Sequence, residues 1–218
     1  MPYNIDIGAA PFNGCYRFKC FIEPSSITGT NTAKAFSYCY GLKYASLPKS
    51  HTTINESFFE SCVNLRRIHF PLGATVISKT VCYQCRNMKY ATYSTSATKI
   101  DSNAFNACTS LEYITPIPST ITTLGGTAFS SCYFVFDSVA LPSGLTSLTN
   151  AFYDTKSLRS VTIPNTVTSI ATSAFGYCCS LSEIELPSSV TSIGEKVFYN
   201  CSLLQYVDIK GNITEIPN

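Results

Sequence analysis

The sequence predicts a solenoid: a curved stack of about nine units, with short parallel strands on the concave face and turns with short 3₁₀-like segments on the convex face. Three observations carry this. First, apolar residues recur with a period close to 23. Leu158, Val161, Ile163, Pro164, Val167, Ile170, Ala174, Phe175, Cys178 and Leu181 reappear one unit later as Leu181, Ile184, Leu186, Pro187, Val190, Ile193, Val197, Phe198, Cys201 and Leu204. Second, cysteine keeps the same period at Cys15, Cys39, Cys62, Cys85, Cys108, Cys132, Cys178 and Cys201, with Thr155 in the one gap. Third, each unit joins a short β-branched-rich piece, usually closed by proline, to a Ser/Thr/Gly-rich arc.

The units follow one another with small insertions. The first is partial, with Ile7, Phe12, Cys15 and Phe18. The second runs through Phe21, Pro24, Ile27, Phe36, Cys39 and Leu42, with one extra residue before Phe36. The third has Leu42, Ala45, Leu47, Pro48, Ile54, Phe59, Cys62 and Leu65; the fourth has Ile68, Phe70, Pro71, Ile77, Cys82, Cys85 and Met88. The fifth holds Ala91, Tyr93, Ile100, Phe105, Cys108 and Leu111 and lacks the proline, Ser94 standing in its place. The sixth passes Ile114, Pro118, Ile121, Leu124, Phe129 and Cys132, the seventh Val135, Val139, Leu141, Pro142, Leu145, Leu148, Phe152 and Thr155. Two regular units lead to Val207, Ile209, Ile213 and Ile216.

A repeat array is one elongated domain, here 1–218, each unit burying its apolar face on its neighbours. Hydrophobic residues at 45% suffice for a continuous core, while charged residues are only 13%. The polar surface therefore falls to Ser, Thr, Asn and Tyr. Net charge is +2 with no block of like charges, so nucleic acid is not the expected partner. No run of about 18 apolar residues exists, so no membrane-spanning segment is expected. The start, Met1-Pro-Tyr-Asn-Ile-Asp-Ile7, lacks the basic end and apolar stretch of a signal peptide; either the protein is not exported or a leader has been removed. The chain opens and closes inside a repeat without a polar capping unit, which suggests a piece of a longer array.

The pattern resembles the leucine-rich repeats of the BspA-like class, in which Leu-x-x-Ile-x-Leu-Pro is followed by Val-Thr-x-Ile and Ala-Phe-x-x-Cys-x-x-Leu. Here Val161-Thr-Ile163-Pro164, Val167-Thr-Ser-Ile170 and Ala174-Phe175-Gly-Tyr-Cys178-Cys-Ser-Leu181 carry it, and the resemblance spans essentially the whole chain. Departures are Cys82 for Phe, Thr155 for Cys and Ser94 for Pro. The resemblance implies a leucine-rich-repeat solenoid from a microbial surface or secreted protein engaged in adhesion, hence an extracellular or cell-surface location.

Catalysis is not expected, and neither a cofactor nor a metal is called for. Cys82-Tyr-Gln-Cys85 is a CxxC, but its spacing is the repeat's own Phe-to-Cys spacing and no second pair answers it. The periodic thiols read as a mainly reduced, buried column, since free Cys packs as a small hydrophobe; the alternative is disulfides between neighbouring rungs, whose spacing of roughly 5 Å lies within the range of bridged Cα separations. His51 falls in an otherwise apolar column at a turn, and His69 points out of a strand. Gly125-Gly126 is a turn without phosphate-loop signals. Asn55-Glu-Ser57 and Asn212-Ile-Thr214 match the glycan-acceptor pattern. Cys20 and Cys179 are the thiols expected nearest the surface.

The expected functional surface is the strand face. One outward column reads Tyr44, Arg67, Tyr90, Tyr113, Ser160, Glu183 and Tyr206; a second reads Ser46, His69, Thr92, Thr115, Thr162, Glu185 and Asp208. The column before the first holds Lys43, Arg66 and Lys89. The face is thus basic and tyrosine-rich in units three to five and acidic near Glu183, Glu185 and Asp208. The candidate ligand-binding residues are Tyr44, Arg67, His69, Tyr90, Tyr113, Glu183, Glu185, Tyr206 and Asp208, facing a protein or glycan, since tyrosine presents flat apolar area with a polar tip. The competing expectation is a structural spacer or assembly component whose uncapped ends stack on further repeats.

Overall fold

The computed structural model describes residues 10–22, 32–47 and 51–213. Ile7, Pro24, Ile27, Pro48, Thr214 and Ile216 lie outside them. The fold is the solenoid that the period requires. Nine short strands form its concave wall: β1 (Cys20–Ile22), β2 (Tyr44–Ser46), β3 (Arg67–His69), β5 (Tyr90–Thr92), β7 (Tyr113–Ile114), β9 (Ser138–Ala140), β11 (Ser160–Thr162), β13 (Glu183–Leu186) and β15 (Tyr206–Ile209). Two-residue strands make a second wall: β4 (Val76–Ile77), β6 (Lys99–Ile100), β8 (Thr123–Leu124), β10 (Ser147–Leu148), β12 (Ser169–Ile170) and β14 (Ser192–Ile193). All pairings are parallel and in repeat register, as in Arg67↔Tyr90↔Tyr113.

Between the walls the chain turns where the sequence places Pro. Leu145 N–H donates to Pro142 O at 3.1 Å and Val167 N–H to Pro164 O at 3.0 Å. Ser94 performs the same turn, since Ala97 N–H reaches Ser94 O at 3.1 Å and the Ser94 hydroxyl oxygen accepts from Ser96 N–H at 3.1 Å. A serine that caps its own turn replaces the ring constraint of proline.

The third wall differs from a 3₁₀ helix. Its hydrogen bonds have i→i−3 spacing, as from Cys39 N–H to Phe36 O at 3.1 Å, yet no helix forms among the described residues. The reason lies in residues of positive φ four apart, such as Lys34 (62°) and Tyr38 (61°), Ser57 (55°) and Ser61 (57°), or Ser173 (57°) and Tyr177 (61°). Left-handed backbone is costly for side chains other than glycine. Here it turns the N–H toward the next unit, so that Tyr38 donates to Glu60 O at 2.8 Å and Tyr177 to Tyr199 O at 2.7 Å. The repeated inter-unit bond holds the strained residue in place.

Inside, aromatic rings stack unit on unit. Phe105, Phe129, Phe152, Phe175 and Phe198 follow one another with centroids 5.7 to 6.4 Å apart and planes within 22°. Phe12, Phe36 and Phe59 do the same at the other end. Cys82 interrupts the stack, and the void is met from the strand side, where Phe70 and Tyr93 lie 6.0 and 6.3 Å from the Phe105 ring.

The concave wall is unpaired between β11 and β13, where β12 and β14 stay paired, and a deeper seam interrupts both strand walls. From Tyr113 to the next equivalent residue, Ser138, is 25 residues against the usual 23, as between Tyr90 and Tyr113. The extra residues fall in Pro116-Ile117-Pro118 and in the Tyr133–Phe136 stretch. Here β7 does not pair with β9, nor β8 with β10. The turn wall alone keeps its backbone bonds across the seam, Phe129 N–H to Ala151 O (2.9 Å) and Ser131 N–H to Tyr153 O (3.0 Å), joined by the Thr149 hydroxyl on Leu124 O (3.0 Å).

Candidate functional site on the concave face

Period-2 alternation within the strands decides what the concave wall shows. Ile68, Ala91, Ile114, Val161 and Ile184 point inward and are buried, while their neighbours point out. Tyr44 is 55% exposed, Tyr113 49% and Tyr206 60%; Tyr90 is also exposed. Arg67, His69, Glu183 and Glu185 are exposed, and Asp208 is half-buried. All nine residues expected from the sequence therefore belong to one wall, though not to one cluster.

Seven of them line two shallow depressions. The first, about 310 Å³, is lined by Tyr44, Arg66, Arg67, Lys89 and Tyr90. The Arg67 guanidinium lies over the Tyr90 ring at 5.1 Å, and Lys89 Nζ meets Glu112 Oε1 at 2.7 Å. Nearby, His69 Nδ1 shares a hydrogen bond with the Thr92 hydroxyl at 2.7 Å. The second, about 280 Å³, is lined by Ser160, Glu183, Glu185, Tyr206 and Asp208, with the Asp208 carboxylate 2.6 Å from Lys210 Nζ. Tyr113 stands at neither. It flanks an apolar notch of about 380 Å³ at the seam, with Ile114, Ile117, Val135, Phe136 and Val139.

Two residues of this wall escape the sequence reading. Cys20 pairs with Tyr44 across the first two strands and so heads the tyrosine column; Lys19 precedes it and heads the cationic one. The signal was present as a Lys-Cys pair aligned with Lys43-Tyr44. The additional residue before Phe36 shifts that alignment from 23 to 24.

The thiols form a different array. All eleven cysteines are free. Each periodic thiol from Cys39 onward donates to a carbonyl of the preceding unit: Cys62 to Phe36 O at 3.1 Å, Cys108 to Cys82 O at 3.2 Å, Cys178 to Phe152 O at 3.2 Å. Burial pushes the Cys39 and Cys201 thiols up to about 11, and those of Cys62, Cys82, Cys108, Cys132 and Cys178 well above the ordinary range. A thiol that resists ionisation is a poor nucleophile and a poor metal ligand. Both members of the CxxC pair are buried, and the Cys85 thiol donates to Phe59 O at 3.1 Å, the bond its column makes in every unit from Cys39 onward. Among the described residues no group of three His, Cys, Asp or Glu could hold a metal.

Cys20 is exposed, but Cys179 is only half-buried, as are Cys15 and Cys201 in the outer units. His51 is half-buried. Gly125 is a close-packing site, because a Cβ there would meet Ser102 N at 2.3 Å. Asn55 is exposed, whereas Ser57 of the same glycan-acceptor triplet is buried; Thr214 of the other lies outside the described residues. No helix among the described residues is long and apolar enough to cross a membrane.

Comparison with known proteins agrees with this architecture. A leucine rich cell surface protein of Faecalibacterium prausnitzii is 25% identical with a TM-score of 0.61, the match covering 93% of this chain and 62% of that one. The leucine rich repeat protein of Treponema pallidum is 24% identical with a TM-score of 0.65, covering 87% of this chain and 79% of that one. A leucine-rich repeat protein of Eubacterium ventriosum is 21% identical with a TM-score of 0.56, covering 95% and 58%. The chain thus spans less than two thirds of the Faecalibacterium and Eubacterium proteins. No curated protein matches. The BspA type leucine rich repeat region matches in six copies over residues 3–112, 29–150 and 126–218, and the chain belongs to that family.

Proposed function

We propose that this chain is a non-enzymatic recognition module of a bacterial surface or secreted protein, binding a protein or glycan ligand through its concave wall. The observation that carries the proposal is the exposure of large aromatic side chains along one column of that wall, at Tyr44, Tyr90, Tyr113 and Tyr206, beside charged residues. Solvated aromatic area of this kind is characteristic of interaction surfaces, where tyrosine supplies rigid contact. The likeness to a Faecalibacterium protein described as a cell surface protein supports an extracellular location. Nothing in the thiol array offers a nucleophile beside a base, which favours binding over chemistry.

The test is a screen of the protein against extracellular-matrix proteins and glycans, followed by the triple substitution Tyr44→Ala, Tyr90→Ala and Tyr113→Ala. Binding should be abolished while the melting temperature stays nearly unchanged, because all three rings are exposed and lie outside the buried core. Unaltered affinity would remove the concave wall from consideration. Concentration-dependent end-to-end association, with no ligand retained, would favour the spacer reading instead.

A further inference from the structure

A file of cations runs along the solenoid axis beside the tyrosine column. Lys43 N–H bonds Lys19 O at 2.9 Å, Arg66 N–H bonds Lys43 O at 3.1 Å, and Lys89 N–H bonds Arg66 O at 2.9 Å, so Lys19, Lys43, Arg66 and Lys89 sit directly above one another. All four are exposed. Successive strands lie about 4.8 Å apart. Like charges opposite one another on a sheet are destabilising, so this stack is a local cost that folding does not require. Among the described residues Lys89 meets a carboxylate, Glu112, at the end of the file; Lys19, Lys43 and Arg66 have no ion pair. Arg67 in the next column adds a fifth cation, and Tyr44 and Tyr90 wall the depression between them.

We propose that this strip binds a linear acidic polysaccharide laid along the solenoid axis, its sulfate or carboxylate groups on the cation file and its sugar rings against Tyr44. The inference rests on the recognition reading of the same wall and names the ligand class. Three features select a charged sugar chain. The cations repeat at the strand interval, one on each of four successive rungs, which suits a polymer with an anion on nearly every ring. The arginines offer planar forks that match sulfate and carboxylate oxygens in pairs. A peptide that adds as a strand needs a free edge, and β2, β3 and β5 are each paired on both sides; an acidic peptide held by the cations alone is the case that polyglutamate tests. A single-stranded nucleic acid needs a succession of open aromatic faces for its bases, and in this strip Arg67 lies over the Tyr90 ring, which leaves Tyr44 as the open one.

The experiment measures binding of a heparin-derived oligosaccharide, hyaluronan, dextran, a single-stranded oligodeoxynucleotide and polyglutamate to the full chain by calorimetry. The sulfated or the carboxylated sugar should bind, dextran should not, and binding should vanish in 1 M salt, where the screening length falls to about 3 Å. Lys43→Glu with Arg66→Glu should weaken binding more than tenfold, while Lys79→Glu with Lys196→Glu, on the turn wall, should leave it unchanged. The first pair should also melt no lower than the parent, because it relieves like-charge stacking. Absence of binding to both acidic sugars, equal binding of the oligodeoxynucleotide or polyglutamate, or indifference to the first pair would each overturn the assignment. A protein or neutral glycan bound by the parent and lost in the triple tyrosine variant, with no acidic sugar bound, would sink this inference and leave the recognition reading standing.

Discussion

At the scale of single residues, the cysteine column is explained by a hydrogen bond rather than by sulfur chemistry. The backbone carbonyl of each Phe position already accepts the N–H three residues on, and the thiol of the next unit supplies its second donor. Thr155 shows what the position requires, since its hydroxyl reaches Phe129 O at 3.3 Å where a thiol would have done so. Thr155→Val keeps the shape and removes the donor, and should cost about 1 kcal/mol in denaturant unfolding. Thr155→Cys should be nearly neutral, and equal losses for the two would refute the hydrogen-bond account. The column's burial and period were legible in the sequence, and Thr155 marked it as tolerant of a hydroxyl. Its bonding partner was not legible, because the carbonyl belongs to a residue 26 or 27 positions earlier and carries no side-chain signature.

At the scale of elements, the unit is a trade of volume between walls. Cys82 leaves the phenylalanine stack short of one ring, and Phe70 and Tyr93 stand where Leu47, Leu141, Ile163 and Leu186 stand in other units. Cys82→Phe would restore the consensus and overfill this core, so it should destabilise by about 1–3 kcal/mol in thermal or denaturant unfolding. A stabilised variant would show that the void is real and unfilled. The strands of the concave wall were readable because Leu-x-x-Ile-x-Leu alternates. The second wall was not, since two-residue strands are too short to show a period. Nor were the left-handed residues, which include Lys34, Tyr38 and Tyr177 and, among the described residues, only one glycine, Gly14. Their conformation is imposed by bonds between units, beyond the reach of local propensity. On the candidate site, alternation put all nine expected side chains on the right wall. It could not say that Tyr113 belongs to the seam notch and not to the basic depression, because that depends on how far the sheet continues.

At the scale of the whole molecule, a repeat array is held by nearest-neighbour contacts, so its weakest interface governs it. That interface is the seam, where both strand walls lose their pairing while the Phe129–Phe152 stack at 5.9 Å keeps the core continuous. Amide hydrogen exchange should be faster at Asp137, Ser138 and Thr146 than at Arg159, Ser160 and Thr168, whose N–H groups bond Asp137 O, Asp137 O and Thr146 O. Equal protection would make the seam a detail of geometry without energetic weight. In the sequence the position shows only as one of several small insertions, which look harmless in a solenoid; that two extra residues fall between Tyr113 and Ser138, where both strand walls are unpaired, needed the fold. The seam also lies between the cationic strands and the acidic ones. Two halves of opposite charge thus meet where neither strand wall is paired, and a ligand long enough to grip both would have to span that joint.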